Sequence, residues 1–253
     1  IIGRFLNFML VPLYTRCFSQ AEYGVVTELY SYTVFLMIFL TYGMETGFFR
    51  FMQNKEDEPK VFSTIMTSLF TSSFVFIGLV LVFLSPVSNL IGYGQHQDFI
   101  MIMAIIIGLD ALTSVPFAKL RHENKAVRFA TIKLINIGVN IGLNLLLIIV
   151  LPEMAKTSSN QWLIENFSTP NVASIFISNL VASILTLILL LPDMFKSRNG
   201  FHTHGHFLFR DLQAALTKYT TEFRFAIFLL FPTVLMHHNT YCRKWVCMEL
   251  TIN

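Results

Sequence analysis

The sequence predicts an all-α fold, a polytopic transmembrane helix bundle with about six spans and the start of a seventh. Hydrophobic residues make up 54% of the 253 residues and charged residues only 13%, and the mean hydropathy is +0.61. A soluble domain usually contains about 25% charged residues. The composition therefore argues against a soluble enzyme or a nucleic-acid-binding protein, and we expect no nucleic-acid partner.

Five apolar stretches are each long enough to cross about 30 Å of hydrocarbon as a helix. They cover residues 25–49, 62–84, 99–117, 129–151 and 172–191. Helices satisfy their own backbone groups in lipid, and the stretches lack the strict alternation of a β-barrel strand. The apolar segment 1–14 is shorter than the ~20 residues of a span, so we expect it to be a first span that lacks its beginning.

Basic residues predict the orientation of these spans. The connections after the second, fourth and sixth spans contain eleven of them: Arg50, Lys55, Lys60, Lys119, Arg121, Lys125, Arg128, Lys196, Arg198, Arg210 and Lys218. The opposite connections contain Arg16 and Lys156. Because cytoplasmic loops are enriched in Lys and Arg, the N-terminal end is predicted to be cytoplasmic.

Four regions follow from this pattern. Residues 1–195 form the transmembrane lobe with spans one to six, and residues 196–222 form a cytoplasmic linker with an amphipathic helix at 207–219. Residues 223–236 start a seventh span. Residues 237–253 are an atypical tail with one of the two tryptophans and two of the three cysteines; a frameshifted or cut gene model and an unusual genuine tail are the alternatives. The cysteines predict no disulfide framework.

The fifth span carries four polar side chains spaced three, four and four residues apart: Lys133, Asn136, Asn140 and Asn144. On a helix they occupy one stripe about 80° wide, which predicts that they face the bundle interior or an aqueous cavity. The alternative is hydrogen bonding between helices. Gly138 and Gly142 form G-x-x-x-G on roughly the opposite side, and this motif favours close packing on a neighbouring helix.

The fourth span contains a carboxylate, Asp110, about twelve residues past its start. Such a group costs ~3 kcal/mol in the membrane unless it is paired or hydrated. Asp110 is therefore a candidate proton or cation site, with a structural ion pair or cap as the alternative. Pro116 follows it, and we expect a kink there.

Other candidates lie near the ends of spans. Glu45 and Arg50 flank the end of the second span, where Gly43 and Gly47 form another G-x-x-x-G. Arg4 and Asn7 share a face of the first segment, about 60° apart. A cation such as Arg4 in a cavity suits a phosphate group, and the alternative is snorkelling to the interface.

Catalytic and metal chemistry have no visible basis in the sequence. His202, His204 and His206 alternate in HTHGH, which matches neither i,i+4 ligation nor a closed zinc pattern. Nucleophile-elbow, P-loop, H-E-x-x-H and paired-carboxylate motifs do not occur. We therefore predict a protein that is not an enzyme, with no catalytic residue, no metal site and no cofactor.

The stretch 3–51 closely resembles the opening of Wzx-like polysaccharide biosynthesis proteins, the oligosaccharide flippases of the MOP superfamily, which are relatives of the MATE exporters. The specific parts are P-L-Y-T-R at 12–16, A-E-Y-G at 21–24 and Y-G-M-E-T-G-F-F-R-F at 42–51. The resemblance extends more weakly over about 230 residues. It implies twelve to fourteen spans in two lobes around a cavity, of which this chain would contain the N-terminal lobe.

The resemblance also implies a function. Such proteins move undecaprenyl-diphosphate-linked oligosaccharide across the bacterial cytoplasmic (inner) membrane for surface polysaccharide or lipopolysaccharide synthesis, by alternating access. Within the matching stretch, Arg4, Asn7, Glu45 and Arg50 are the expected substrate-binding residues. Expected partners are the lipid-linked oligosaccharide, membrane lipid, a polysaccharide polymerase and a chain-length regulator. The alternatives are an ion-coupled drug or cation exporter, an inactive remnant, and a membrane enzyme acting on lipid-linked sugars.

Overall fold

The structure of the chain, a computed structural model, describes residues 10–52, 58–157 and 171–195. These residues all belong to the first of two compact units, Ile1–Phe201 and His202–Asn253. Every regular element among them is helical, which confirms the predicted all-α class. The HTHGH histidines, the amphipathic helix predicted at 207–219, the start of the seventh span and the tail lie outside the described residues.

Nine α-helices and one π-helical turn make up the described part of the chain. The helices are α1 (Leu10–Cys17), α2 (Gln20–Thr41), α3 (Met44–Phe51), α4 (Glu58–Val82), α5 (Leu84–Ile91), α6 (Gln97–His122), α7 (Ala126–Leu145), α8 (Leu151–Thr157) and α9 (Ala173–Phe195). The π-helical turn, Leu146–Val150, joins α7 to α8.

Five helical segments are long and apolar enough to cross a membrane, and they coincide with the five predicted spans. They are Gln20–Phe49, Val61–Val82, Gln97–His122, Ala126–Lys156 and Ala173–Met194. The polytopic helix bundle is therefore confirmed. α1 contains the end of the segment that we interpret as a first span.

The second span, Gln20–Phe49, is confirmed as a membrane-spanning segment, but it consists of two helices, α2 and α3, rather than one continuous helix. α2 begins with a capping box, in which Ser19 Oγ accepts a hydrogen bond from the Glu22 amide and Glu22 accepts one from the Ser19 amide. It ends at Thr41, and the next two residues, Tyr42 and Gly43, have φ angles of 33° and 71°. Glycine adopts this left-handed conformation readily, so Gly43 separates α2 from α3. Gly43 therefore serves as a helix break.

α6 lies at the centre of the described helices and packs against α2, α3, α4, α7 and α9. At Gly108 it approaches α4 so closely that an added Cβ would lie 2.5 Å from Ile77 Cδ1 and 3.8 Å from the Ser73 carbonyl oxygen. The helix continues through the buried Pro116, so the expected kink does not break it.

Candidate functional site

The carboxylate of Asp110 lies in the interior of the bundle, between α6 and α9. Asp110 is half-buried, and Ser183 Oγ on α9 donates a hydrogen bond of 2.7 Å to its Oδ1. Ser183 is 1% exposed. This hydrogen bond stabilises a charged acceptor that a membrane-spanning helix otherwise leaves without water.

Asn136 on α7 reaches the same part of α9. Its Nδ2 donates to Thr186 Oγ1 at 2.8 Å and to the Ala182 carbonyl oxygen at 3.1 Å. Ser183 lies next to Ala182 in the chain and one turn before Thr186. α9 therefore brings Asp110 and Asn136 into one group, which we call the interior polar site: Asp110, Asn136, Ser183 and Thr186.

The other two asparagines of the stripe lie further along α7 and contact each other. Asn144 is fully buried, and its Nδ2 donates to Asn140 Oδ1 at 2.7 Å. The Tyr14 hydroxyl of α1 donates to Asn144 Oδ1 at 3.0 Å. The stripe therefore faces neighbouring helices, and the alternative interpretation, hydrogen bonding between helices, describes Asn136 and Asn144.

Tyr14 also lines a shallow groove of about 310 Å³ with residues of α2. The other lining side chains are Tyr23, Val26, Thr27, Tyr30, Ser31 and Val34. The Tyr14 and Tyr23 rings lie 6.3 Å apart. The groove therefore combines aromatic rings with a few hydroxyl groups.

Lys133, the first residue of the stripe, is exposed and lies over an aromatic ring. Its Nζ is 4.1 Å from the centroid of Phe117 on α6, a cation–π contact. Phe117 follows Asp110 and precedes Arg121 on α6, so Lys133 contacts α6 between the interior polar site and the charged end of that helix.

The glycine motif on the other face of α7 does not pack as predicted. An added Cβ at Gly138 or at Gly142 would meet no atom of the described structure within 4 Å, and both residues are exposed. The prediction of a close helix contact is wrong for the described residues. A G-x-x-x-G motif permits close approach but does not by itself supply the neighbouring helix.

Glu45, predicted from the sequence, forms an ion pair with Arg121 of α6 that joins α3 to α6. The two side chains are 42% and 41% exposed. From the sequence, Arg121 was predicted only as a loop charge and not as a site residue. Arg121 lies four residues after Phe117, and residues with this spacing share a helix face. This spacing is the signal that could have placed Arg121 beside Phe117, the ring that Lys133 contacts.

Further charged contacts lie at the same end of the bundle. Arg128 Nε of α7 lies 2.8 Å from the buried Asp193 Oδ2 of α9, and Lys119 Nζ donates to the Asp193 carbonyl oxygen at 3.4 Å. Glu123 pairs with Lys119 and Lys125. These contacts join α6, α7 and α9.

Three predicted candidates cannot be placed. Arg4 and Asn7 lie outside the described residues, and the side chain of Arg50 in α3 is also outside them. Within the described ranges, no three His, Cys, Asp or Glu side chains form a group that could hold a metal ion.

Comparison with known proteins identifies the family. The family model described as "Polysaccharide biosynthesis protein" matches residues 13–155, which is more than half of the chain. No curated protein and no solved structure matches the chain. The match begins within α1 and includes Glu45, Asp110 and the whole asparagine stripe. The chain therefore belongs to the family of Wzx-like polysaccharide biosynthesis proteins that its opening residues resemble.

Proposed function

We propose that the protein moves undecaprenyl-diphosphate-linked oligosaccharide from the inner to the outer leaflet of the bacterial cytoplasmic membrane. The family supports a flippase role in general, and the family's name concerns polysaccharide synthesis. A transporter needs polar groups at membrane depth, and ionisable residues there are functional candidates. The interior polar site supplies such groups.

The observation that carries the proposal is the position of Asp110 between two helices. Its carboxylate accepts from Ser183 while Asn136 of α7 donates to the adjacent turn of α9. Protonation of Asp110, or binding of a cation to it, would change the hydrogen bond that joins α6 to α9. Such a change couples an ion gradient to helix movement, as alternating access requires.

The proposal includes an orientation of the helix bundle across the membrane. The charged end of the bundle, with Arg121, Lys125 and Arg128, lies at the cytoplasmic surface, as the positive-inside rule predicts. The N-terminal end of the chain is then cytoplasmic as well. Partners of the same process would be a polysaccharide polymerase and a chain-length regulator, which use the translocated oligosaccharide.

Complementation of a deletion strain tests the proposal. The intact gene and an Asp110→Asn variant are introduced, and surface polysaccharide is measured together with the amount of membrane-inserted protein. We expect the wild type to restore the polysaccharide. Asp110→Asn should reach the membrane in normal amounts but restore at least about tenfold less, since it keeps the shape and loses the charge.

Asp98→Asn is the matched control, because Asp98 lies in the first turn of α6 and is exposed. Full polysaccharide synthesis with Asp110→Asn would contradict the proposed coupling role of Asp110.

A second candidate function, export of cationic drugs, is favoured by the intramembrane carboxylate itself. Drug sensitivity of the deletion strain with normal surface polysaccharide would support the exporter and contradict the flippase.

A further inference from the structure

The π-helical turn Leu146–Val150 interrupts the helical span Ala126–Lys156. The amide of Leu151 donates to the carbonyl oxygen of Leu146, which lies five residues back instead of four. Such a turn contains about one residue more than an α-helical turn, is a known cause of helix kinks and is frequent at functional sites. The span therefore has one position at which its two parts, α7 and α8, can change their relative orientation.

Pro152, in the first turn of α8, explains why the helix widens at this position. Proline has no amide hydrogen, and its ring clashes with the carbonyl oxygen four residues before it, which here belongs to Ile148. Hydrogen bonds that reach five residues back relieve this crowding. Pro152 thus favours the π-helical form of the turn, and its replacement by alanine should favour the α-helical form.

The form of the turn determines which side of α8 faces the interior. Ala155 is 2% exposed, whereas its neighbours Met154 and Lys156 are exposed. Successive residues of an α-helix lie about 100° apart around the axis. If the wider turn became α-helical, α8 would rotate by about 100° relative to α7. Met154 would then take the place of Ala155, and Ala155 the place of Lys156.

Asn144, two residues before the turn, is held from two sides. It is fully buried, and its Nδ2 donates to the Asn140 carbonyl oxygen at 2.8 Å and to Asn140 Oδ1 at 2.7 Å. Its Oδ1 accepts a hydrogen bond of 3.0 Å from the Tyr14 hydroxyl of α1. Ile148, within the turn, belongs to the same buried apolar cluster as Tyr14. α1 therefore contacts both the residue that precedes the turn and the turn itself.

We propose that the π-helical turn is a hinge, and that the hydrogen bond between Tyr14 and Asn144 is the latch that keeps it in the π-helical form. Because Tyr14 belongs to α1, a movement of α1 opens the latch directly. When the latch opens, α8 rotates while α7 stays joined to α9 through Asn136. The inference goes beyond the proposed flippase function and does not depend on it.

Labelling of engineered thiols with N-ethylmaleimide, in the purified full-length chain in detergent, tests the latch. Mass spectrometry of the peptide that contains α8 locates the label, so the native cysteines do not interfere. We expect slow labelling of Ala155→Cys and fast labelling of Met154→Cys. Tyr14→Phe should raise the rate of Ala155→Cys about threefold, because a hydrogen bond between membrane helices contributes about 0.6 kcal/mol. Tyr23→Phe removes a hydroxyl from the same groove; this matched control should leave the rate unchanged.

Pro152→Ala separates a rotation from a loss of structure. It should raise the labelling rate of Ala155→Cys and lower that of Met154→Cys, because the rotation turns Ala155 outward and Met154 inward. Local unfolding of α8 would instead raise both rates. Circular dichroism of each variant verifies its helix content.

The hinge is overturned if Pro152→Ala raises both rates or changes neither of them. The latch is overturned if Tyr14→Phe has no larger effect on Ala155→Cys than Tyr23→Phe has. None of these measurements uses transport. Failure of the wild type to restore surface polysaccharide would therefore contradict the flippase function alone, and failure of the labelling pattern would contradict the hinge alone.

Discussion

α6 and α7 differ in burial far more than in composition. The apolar stretches that contain them have mean hydropathies of 2.1 and 2.4, but 67% of the first and 11% of the second is buried. α6 contacts most of the other described spans, whereas α7 packs mainly on α9. Apolar composition therefore identifies both as spans, but it does not tell which helix is the axis of the bundle and which lies at its edge.

The two helices also make their contacts by different means. Besides the hydrogen bond that Asp110 accepts from Ser183, α6 packs largely by shape, through small residues such as Ala104, Gly108 and Ala111 that are almost completely buried. α7 makes specific hydrogen bonds through Asn136 and Asn144 and leaves its glycines exposed. In lipid the apolar surface gains little from leaving its solvent, so packing and hydrogen bonds provide the helix association. Substitutions on the two helices should then have separate effects.

The largest effect is expected at Gly108. Gly108→Val would place a side chain where Ile77 already lies, and overpacking of this kind costs about 1–3 kcal/mol. Gly142→Val, the same substitution on α7, meets no described atom and should change the free energy of unfolding by less than about 0.5 kcal/mol. Thermal unfolding of the two purified variants in one detergent compares them. Equal destabilisation would show that the glycine face of α7 is covered in the whole protein.

A matched pair of valines tests the same contrast by removal of atoms, and the expected destabilisation is smaller. Val115 on α6 is 0% exposed and Val127 on α7 is 82% exposed. Val115→Ala should lower the free energy of unfolding by about 1–2 kcal/mol because it leaves a cavity. Val127→Ala should be nearly neutral. If Val115→Ala changed the free energy of unfolding as little as Val127→Ala, the burial of α6 would not contribute to stability as proposed.

The smallest effect concerns the hydrogen bond that α7 forms with α1. Asn144→Ala should destabilise the protein by about 0.6 kcal/mol and by at most about 1.7 kcal/mol, the average and the maximum for hydrogen bonds between membrane helices. Tyr14→Phe removes the donor of the same bond and should cost a similar amount. Because both variants break one interaction, the double variant should cost less than the sum. Full additivity would mean that the Tyr14–Asn144 bond does not contribute.

The spans could be predicted from the sequence because length and hydropathy depend on each helix alone. The polar stripe of α7 was predicted for the same reason, since helical periodicity places Asn136, Asn140 and Asn144 on one face. What the stripe touches could not be predicted, because its partners Tyr14, Ala182 and Thr186 are distant in the chain. Asp110 was identified as a polar group in an apolar span, but its partner Ser183 was not.

Glycines were the least predictable residues. Gly43 was assigned to a packing motif and breaks a helix. Gly138 and Gly142 were assigned to close packing and are exposed. Gly108 was not singled out, although it allows α6 to approach α4 closely. A glycine has no side chain that indicates its surroundings. Its role depends on the backbone angle and on the neighbouring helix, neither of which periodicity determines.

The break at Gly43 has a kinetic consequence for α3. A helix of eight residues is not stable by itself in water, so α3 depends on its docking, chiefly through the fully buried Phe48. Since α2 ends before Gly43, α3 can unfold locally without fraying the longer helix. Its backbone amides should then exchange with deuterium faster than those of α2. Their exchange rate would report how often the contact with α6 opens.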